Sequence, residues 1–150
     1  MTEAIFSIRT VFSQAILRGI KKVELRTNPP KKPIDCIWIY ETAPTKAIVG
    51  HFVPGKINLP MQWRALRETF GYTGIMGTWE ANEEREVTLE NVFGDKLWSA
   101  IQITEAHCIE PLDPVEVWRH ASTGWRSPQS WRYLERWEAT RLKMMAREVA

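Results

Sequence analysis

Cysteine is scarce in this chain of 150 residues: Cys36 and Cys108 are its two thiols, without CxxC spacing and with no histidine cluster beside them. That sets aside a disulfide framework and a structural zinc site. Both lie in apolar, strand-like segments and read as small core hydrophobes. No apolar run approaches the roughly 20 residues that a membrane helix needs. The opening Met1-Thr2-Glu3-Ala4-Ile5 lacks the basic start and apolar stretch of a secretory signal. Glycine-rich phosphate loops are missing too, since Gly71, Gly74 and Gly77 have neither the spacing nor the strand–turn–helix setting. His51, His107 and His120 share no metal-ligand spacing, and Glu80, Glu83, Glu84 and Glu86 read as a solvated loop. The expectation is a cytoplasmic protein with no metal, no cofactor and no membrane association.

What remains is an ordinary globular composition, 44% hydrophobic and 25% charged, of a size that builds one core, so residues 1–150 are read as one domain. The net charge of +2 conceals an uneven distribution: +4 over residues 1–50, −5 over 51–120 and +3 over 121–150. If the two basic ends meet in space they form one basic face, which favours an anionic partner.

Periodicity predicts a short strand at Ile5–Ile8, then a helix with Val11, Phe12, Ala15 and Ile16 on one face, capped by Thr10 and ended by Gly19. Lys22 to Arg26 reads as a strand and Thr27 to Pro33 as an exposed basic loop. In Cys36 to Tyr40, Ile37 and Ile39 face one way while Trp38, Tyr40 and Thr42 face the other. A strand from Thr45 to Val53 is broken by Pro54-Gly55, and Pro60 opens a helix carrying Trp63, Leu66 and Phe70, closed by Gly71. The stretch from Gly74 to Glu90 shows no period and reads as a loop with a short helix beginning near Thr88. Strands follow at Leu97–Thr104 and Ala106–Ile109, the latter stopped by Pro111, then a brief helix at Pro114–His120. A long amphipathic helix is expected from Ser127 or Pro128 to Ala150, with Arg132, Arg136, Lys143 and Arg147 in one basic stripe. Strands and helices in no βαβ rhythm point to an α+β fold around a small antiparallel sheet or barrel.

The segment Gly19 to Arg26 concentrates the chemistry. Glu24 and Arg26 stand two apart on a strand and project from one face, with Lys21 at the turn. A lysine, a carboxylate and a guanidinium so close suit a ligand with anionic and hydrogen-bonding groups; a solvated surface salt bridge is the plainer alternative. Eight tryptophans are present, most of them expected in or near the core. Trp38, Tyr40 and Trp98 sit on strand faces where they could stack on a base.

The pattern G-x-K-x-x-E-x-R, met by Gly19, Lys21, Glu24 and Arg26, resembles the signature of the ASCH domain family. Four further regions agree in order: Phe6-Ser7-Ile8-Arg9, Ile39 to Gly50, Trp98 to Pro111, and Ser127-Pro128-Gln129-Ser130-Trp131-Arg132-Tyr133-Leu134. The resemblance implies a PUA-like, small mixed or antiparallel β-barrel flanked by helices. It also implies a nucleic-acid or nucleotide-binding module, recognising RNA, another single-stranded nucleic acid or a free nucleotide with a modified base, in a cleft beside the signature. The residues expected to bind are Arg9, Gly19, Lys21, Glu24, Arg26, Tyr40, Thr42 and Gln129, joined by Arg132 and Arg136 from the basic stripe of the final helix, read as tracking phosphates.

One branch of the family deacylates N4-acetylcytidine with the signature lysine and a threonine three residues on. The corresponding position here is Glu24, and a carboxylate does not replace an activated hydroxyl in acyl transfer. A non-catalytic binder is therefore the leading expectation. The alternatives are a hydrolase, either an amidohydrolase on a modified nucleoside or a ribonuclease, with Lys21 and Glu24 as catalytic groups, and a protein-interaction adaptor using tryptophan surface.

Overall fold

Residues 1–78, 91 and 93–149 are described by the computed structural model. The expected short helix near Thr88 and the glutamates at 80, 83, 84 and 86 lie outside the described residues. Six strands form one mixed sheet, which curls into a half-barrel, and five helices accompany it among the described residues.

β1 (Glu3–Ile8) is apolar on both sides because both sides are covered. Ala4, Phe6 and Ile8 enter one core cluster, while Ile5 enters a second on the opposite face. β3 (Cys36–Glu41) repeats this, with Ile37 and Ile39 in the first cluster and Trp38 and Tyr40 in the second, as the alternation predicts. The two strands run parallel, and α1 (Thr10–Leu17) with β2 (Val23–Arg26) lies in the connection between them. Every other strand pair is antiparallel, and the strand order is β2-β5-β4-β3-β1-β6.

α1 begins one residue earlier than expected. Arg9 is its N-cap and Thr10 its first helical residue, so Thr10 caps nothing. Its C-terminus follows the expectation: Gly19 takes φ +77°, its N–H donates to the Ile16 carbonyl, and Ile20 N–H donates to Ala15. This pair of bonds is a Schellman closure, which a residue without Cβ enters cheaply.

Prolines prove weaker breakers than the sequence suggests. β4 (Ala47–Ile57) continues through Pro54 and Gly55, and β5 (Ser99–Leu112) is one strand through Glu105 and Pro111 where two were expected. The β4–β5 register shifts at three places, and Glu105 takes φ 43°. Bulges relieve the missing proline donors and bend both strands, which helps the sheet curl. α2 (Trp63–Phe70) starts three residues after Pro60, because Met61 forms a bridge with Trp98. α3 (Tyr72–Met76) follows where no period was visible. Together α2 and α3 bury Trp63, Leu66 and Ile75 against Val23 and Ala100.

The C-terminal region departs most from expectation. α4 (Pro114–Val117) is shorter than predicted, started by the Asp113 side chain accepting from Val115 N–H. Residues Trp131–Tyr133 are a strand, β6, paired with β1; the helix, α5, spans only Arg136–Met145. A capping box between Glu135 and Glu138 sets its start. Beyond it the chain runs along β5, with Glu110 N–H donating to Arg147 and Val149 N–H to Cys108. The expected basic stripe is therefore distributed over a strand, a helix and a tail.

Candidate active site

The half-barrel has two free edges, β2 and β6, and side chains bridge them. Arg26, at the end of β2, donates from Nη1 to the Ser130 carbonyl at 3.2 Å and to Ser130 Oγ at 2.8 Å. Its Nη2 donates to the Ser7 carbonyl of β1 at 3.0 Å and to Glu24 Oε2 at 3.1 Å, and its guanidinium lies 4.8 Å from the Phe6 ring centre. Further along the seam Trp131 Nε1 donates to the Asn28 carbonyl at 2.7 Å.

Behind this bridge lies Lys21, placed by the Schellman turn and only 3% exposed. Its ammonium donates to the Ile75 carbonyl at the end of α3, pairs with Glu24 Oε1 at 3.5 Å and sits 5.1 Å from the Phe12 ring centre. Glu24, 7% exposed, is thus held between a lysine and an arginine. Burial pushes the Lys21 ammonium below the ordinary lysine value. Glu24 opposes that shift by its charge and its bond, and Arg26 reinforces it.

A cleft of about 590 Å³ opens over this array along the seam. Glu24, Arg26, Arg9, Phe12, Trp98 and Trp131 line it, with Ser7, Asn28 and Ser130 supplying polar rim. Arg9 is exposed at the cleft. Lys21 is absent from the lining and meets the cleft through Glu24 and Phe12.

The residues expected to bind thus separate. Arg9, Glu24 and Arg26 share the cleft, with Lys21 beneath it. Gly19 shapes the turn and does not line the cleft. Tyr40 is buried, 7% exposed, with its ring against Trp125, and offers no stacking surface to the cleft. Thr42 lies past the end of β3, its N–H donating to Ile8, and does not line the cleft. Gln129 is exposed beside Ser130 but is not among the lining residues. Arg132 forks onto Glu138, Nη1 to Oε1 at 3.0 Å and Nη2 to Oε2 at 2.8 Å, and so orders the start of α5. Arg136 lies on α5 beside a separate cavity with Trp137 and Met144.

Sequence reasoning does not single out Ser7, Asn28, Ser130 and Trp131 as site residues, although all but Asn28 fall in segments that carry the family resemblance. Their signal is positional: each acts only once the two sheet edges meet. Of the tryptophans described, only Trp137 is exposed, at 43%, which leaves little aromatic surface for an adaptor. Cys108 is exposed, not core. Cys36 is half-buried, its thiol pushed up to about 12 by burial and by Glu3. No cluster of three metal-ligating side chains occurs among the described residues, and no described helix is long and apolar enough to cross a membrane.

Fold and site together define an α+β domain with a curled mixed sheet whose seam carries a cleft over a buried lysine–carboxylate–arginine array. The chain belongs to the ASCH domain family, which it matches over residues 6–140. A curated relative, the ASCH domain-containing ribonuclease of Zymomonas mobilis subsp. mobilis, is 24% identical over 153 residues, covering 98% of this chain and 94% of the relative. The crystal structure of ASCH from Zymomonas mobilis superposes with a TM-score of 0.77 at 24% identity, covering 99% of this chain and 98% of that one. A tyrosine-to-phenylalanine variant of that protein gives a TM-score of 0.77 at 22% identity, covering 98% and 100% of the two chains.

Proposed function

We propose that this protein is a ribonuclease that takes single-stranded RNA into the seam cleft, with Glu24 as its general base. The observation that carries this reading is a nearly buried carboxylate, clamped between Lys21 and Arg26, that still lines a cleft with an exposed arginine and two indoles. Lys21 and Arg26 fix the Glu24 side chain at the cleft, where a carboxylate can accept a proton. In the reaction Glu24 accepts the 2′-hydroxyl proton as that oxygen attacks the adjacent phosphorus. The bond from phosphorus to the 5′-oxygen breaks, and the departing oxygen takes a proton from water at the open cleft mouth. The products are a 2′,3′-cyclic phosphate and a free 5′-hydroxyl. Arg9 meets the charge that builds on the phosphoryl oxygens, and the Trp98 and Trp131 indoles carry unstacked bases. Lys21 is a positioning residue, acting through Glu24.

The curated relative's description as a ribonuclease supports this reading over a binder without catalysis. Glu24 at the position of the amidohydrolase threonine weighs against deacylation.

The test is cleavage of a fluorescently labelled single-stranded RNA, with and without divalent cations, by wild type and by Glu24→Gln. Wild type is expected to release products ending in cyclic phosphate. Glu24→Gln should fold normally by circular dichroism yet cut about 10²-fold more slowly or worse, the usual worth of a general base. Wild type that binds RNA and leaves it intact would return the protein to the binder class. Turnover of acylated cytidine with RNA untouched would favour the amidohydrolase.

A further inference from the structure

A second cavity, of about 820 Å³, begins where the first ends: the two share Thr27 and Asn28. It runs between the basic loop at Lys31 and Lys32 and the chain leaving β4 at Asn58 and Leu59. Resting on the RNA-cleaving reading above, we propose that this groove holds the nucleotides flanking the scissile phosphate. The substrate is then a single-stranded RNA oligomer and not a free nucleotide.

Continuity is the first reason. Each cavity lies within the roughly 300–1,000 Å³ range that one small ligand fills, so the pair in line exceeds the need of a mononucleotide. Charge is the second. Lys31 and Lys32 are both exposed beside the groove, where a strand leaving the cleft would carry its phosphates.

Preorganisation is the third. The loop is stitched to β6, since the Tyr133 hydroxyl accepts the N–H groups of Lys31 and Lys32, each at 3.2 Å, and Lys32 Nζ lies 5.3 Å from the Tyr133 ring centre. Pro29, Pro30 and Pro33 restrict the same loop at φ. A loop already ordered loses little entropy when a strand settles on it. The opposite wall is apolar at Leu59, a surface for sugar and base faces. The groove is polar at Asn58 and Thr27.

The test compares a dinucleotide with an octanucleotide of single-stranded RNA. Cleavage is read as kcat/KM, and binding as fluorescence anisotropy in the Glu24→Gln background across a salt series. Wild type should prefer the octanucleotide by at least about ten-fold. In Lys31→Ala/Lys32→Ala the loss should be at least about ten-fold larger for the octanucleotide than for the dinucleotide. The slope of log affinity against log salt should become shallower by about 1.4, two phosphate contacts at about 0.7 each for a single strand. Lys31→Glu/Lys32→Glu should lose more. Arg119→Ala/Arg147→Ala, which removes two charges lining neither cavity, should leave affinity and slope as in wild type. If the lysine variants keep wild-type octanucleotide affinity and slope while RNA is still cut, the groove is unused and the cleft reading stands. An octanucleotide that gains nothing over a dinucleotide also overturns the groove. Wild type that neither binds nor cuts any RNA overturns both.

Discussion

Arg26→Met is the perturbation that examines the seam most directly. The guanidinium makes four polar contacts that reach three segments: Glu24 on its own strand, Ser7 on β1, and Ser130 at the approach to β6. The Arg26 and Glu24 side chains are only 14% and 10% exposed, so the pair belongs with buried ion pairs. A surface pair is worth about 0–1 kcal/mol. Removing one partner of a buried pair costs about 3–5 kcal/mol, mainly because the remaining charge stays desolvated. Against a total stability of about 5–15 kcal/mol that is a large fraction. The fall in Tm should be about 6–20 °C, taking about 2–4 °C per kcal/mol for a chain of this length.

Arg26→Lys should not rescue it, because one ammonium cannot span three segments as a planar fork does. Arg26→Met with Glu24→Gln should cost less than the sum of the two single variants, since both remove the same ion pair. Urea denaturation followed by tryptophan fluorescence measures these variants together with Glu24→Gln alone. A loss under about 1 kcal/mol for Arg26→Met, with purely additive behaviour in the double variant, would show that the half-barrel does not depend on this bridge.

Two glycines with the same sign of φ should behave differently. Gly19 has nothing within 4 Å of a notional Cβ, so Gly19→Ala should cost only the left-handed backbone penalty of about 1–2 kcal/mol. At Gly77 a Cβ would meet Ala15 Cβ at 2.3 Å and Lys21 Cβ at 3.2 Å, adding about 1–3 kcal/mol of overpacking and displacing Lys21, with cleavage falling as well. Urea midpoints and RNA turnover separate the two. The Glu138 carboxyl is raised by burial, but bonds from Arg132, the Glu135 backbone and Trp118 outweigh that and hold it below the ordinary range. A carboxylate with a depressed folded value adds stability that is present above its unfolded value and lost as pH falls through the folded one. Wild type should therefore lose this contribution below about pH 4, and Glu138→Gln should be less stable at neutral pH with a flatter acid limb. Equal acid slopes in the two proteins would contradict it.

Much of the local structure was legible because it depends on neighbours in sequence. The alternation in β3 assigned Ile37 and Ile39 to one face and Trp38 and Tyr40 to the other, and both faces proved buried. Gly19 announced a helix end, and the i, i+2 spacing of Glu24 and Arg26 announced a shared face. The C-terminal region was misread because the three residues 131–133, though Trp131 and Tyr133 suit a strand, are too few to show a period against the helical spacing around them. They become a strand because β1 offers a free edge that they pair with. Helical periodicity cannot register that competition. The arginines assigned to a stripe went the same way, since Glu138 claims Arg132 only after β6 and α5 are in place.

By itself the sequence determined the character of the site: a lysine, a carboxylate and an arginine brought within a few residues by a glycine turn. Those choices are local and rest on backbone geometry. Tertiary structure alone decided which of them faces a ligand. It buried Lys21 beneath Phe12 and α3, left Glu24 at the cleft, and turned Arg26 into the bridge between two sheet edges. It also brought Ser7, Asn28, Ser130 and Trp131 to the same opening, from segments more than 120 positions apart. No spacing rule reaches across that distance, because the curl of the whole sheet sets the meeting of its edges.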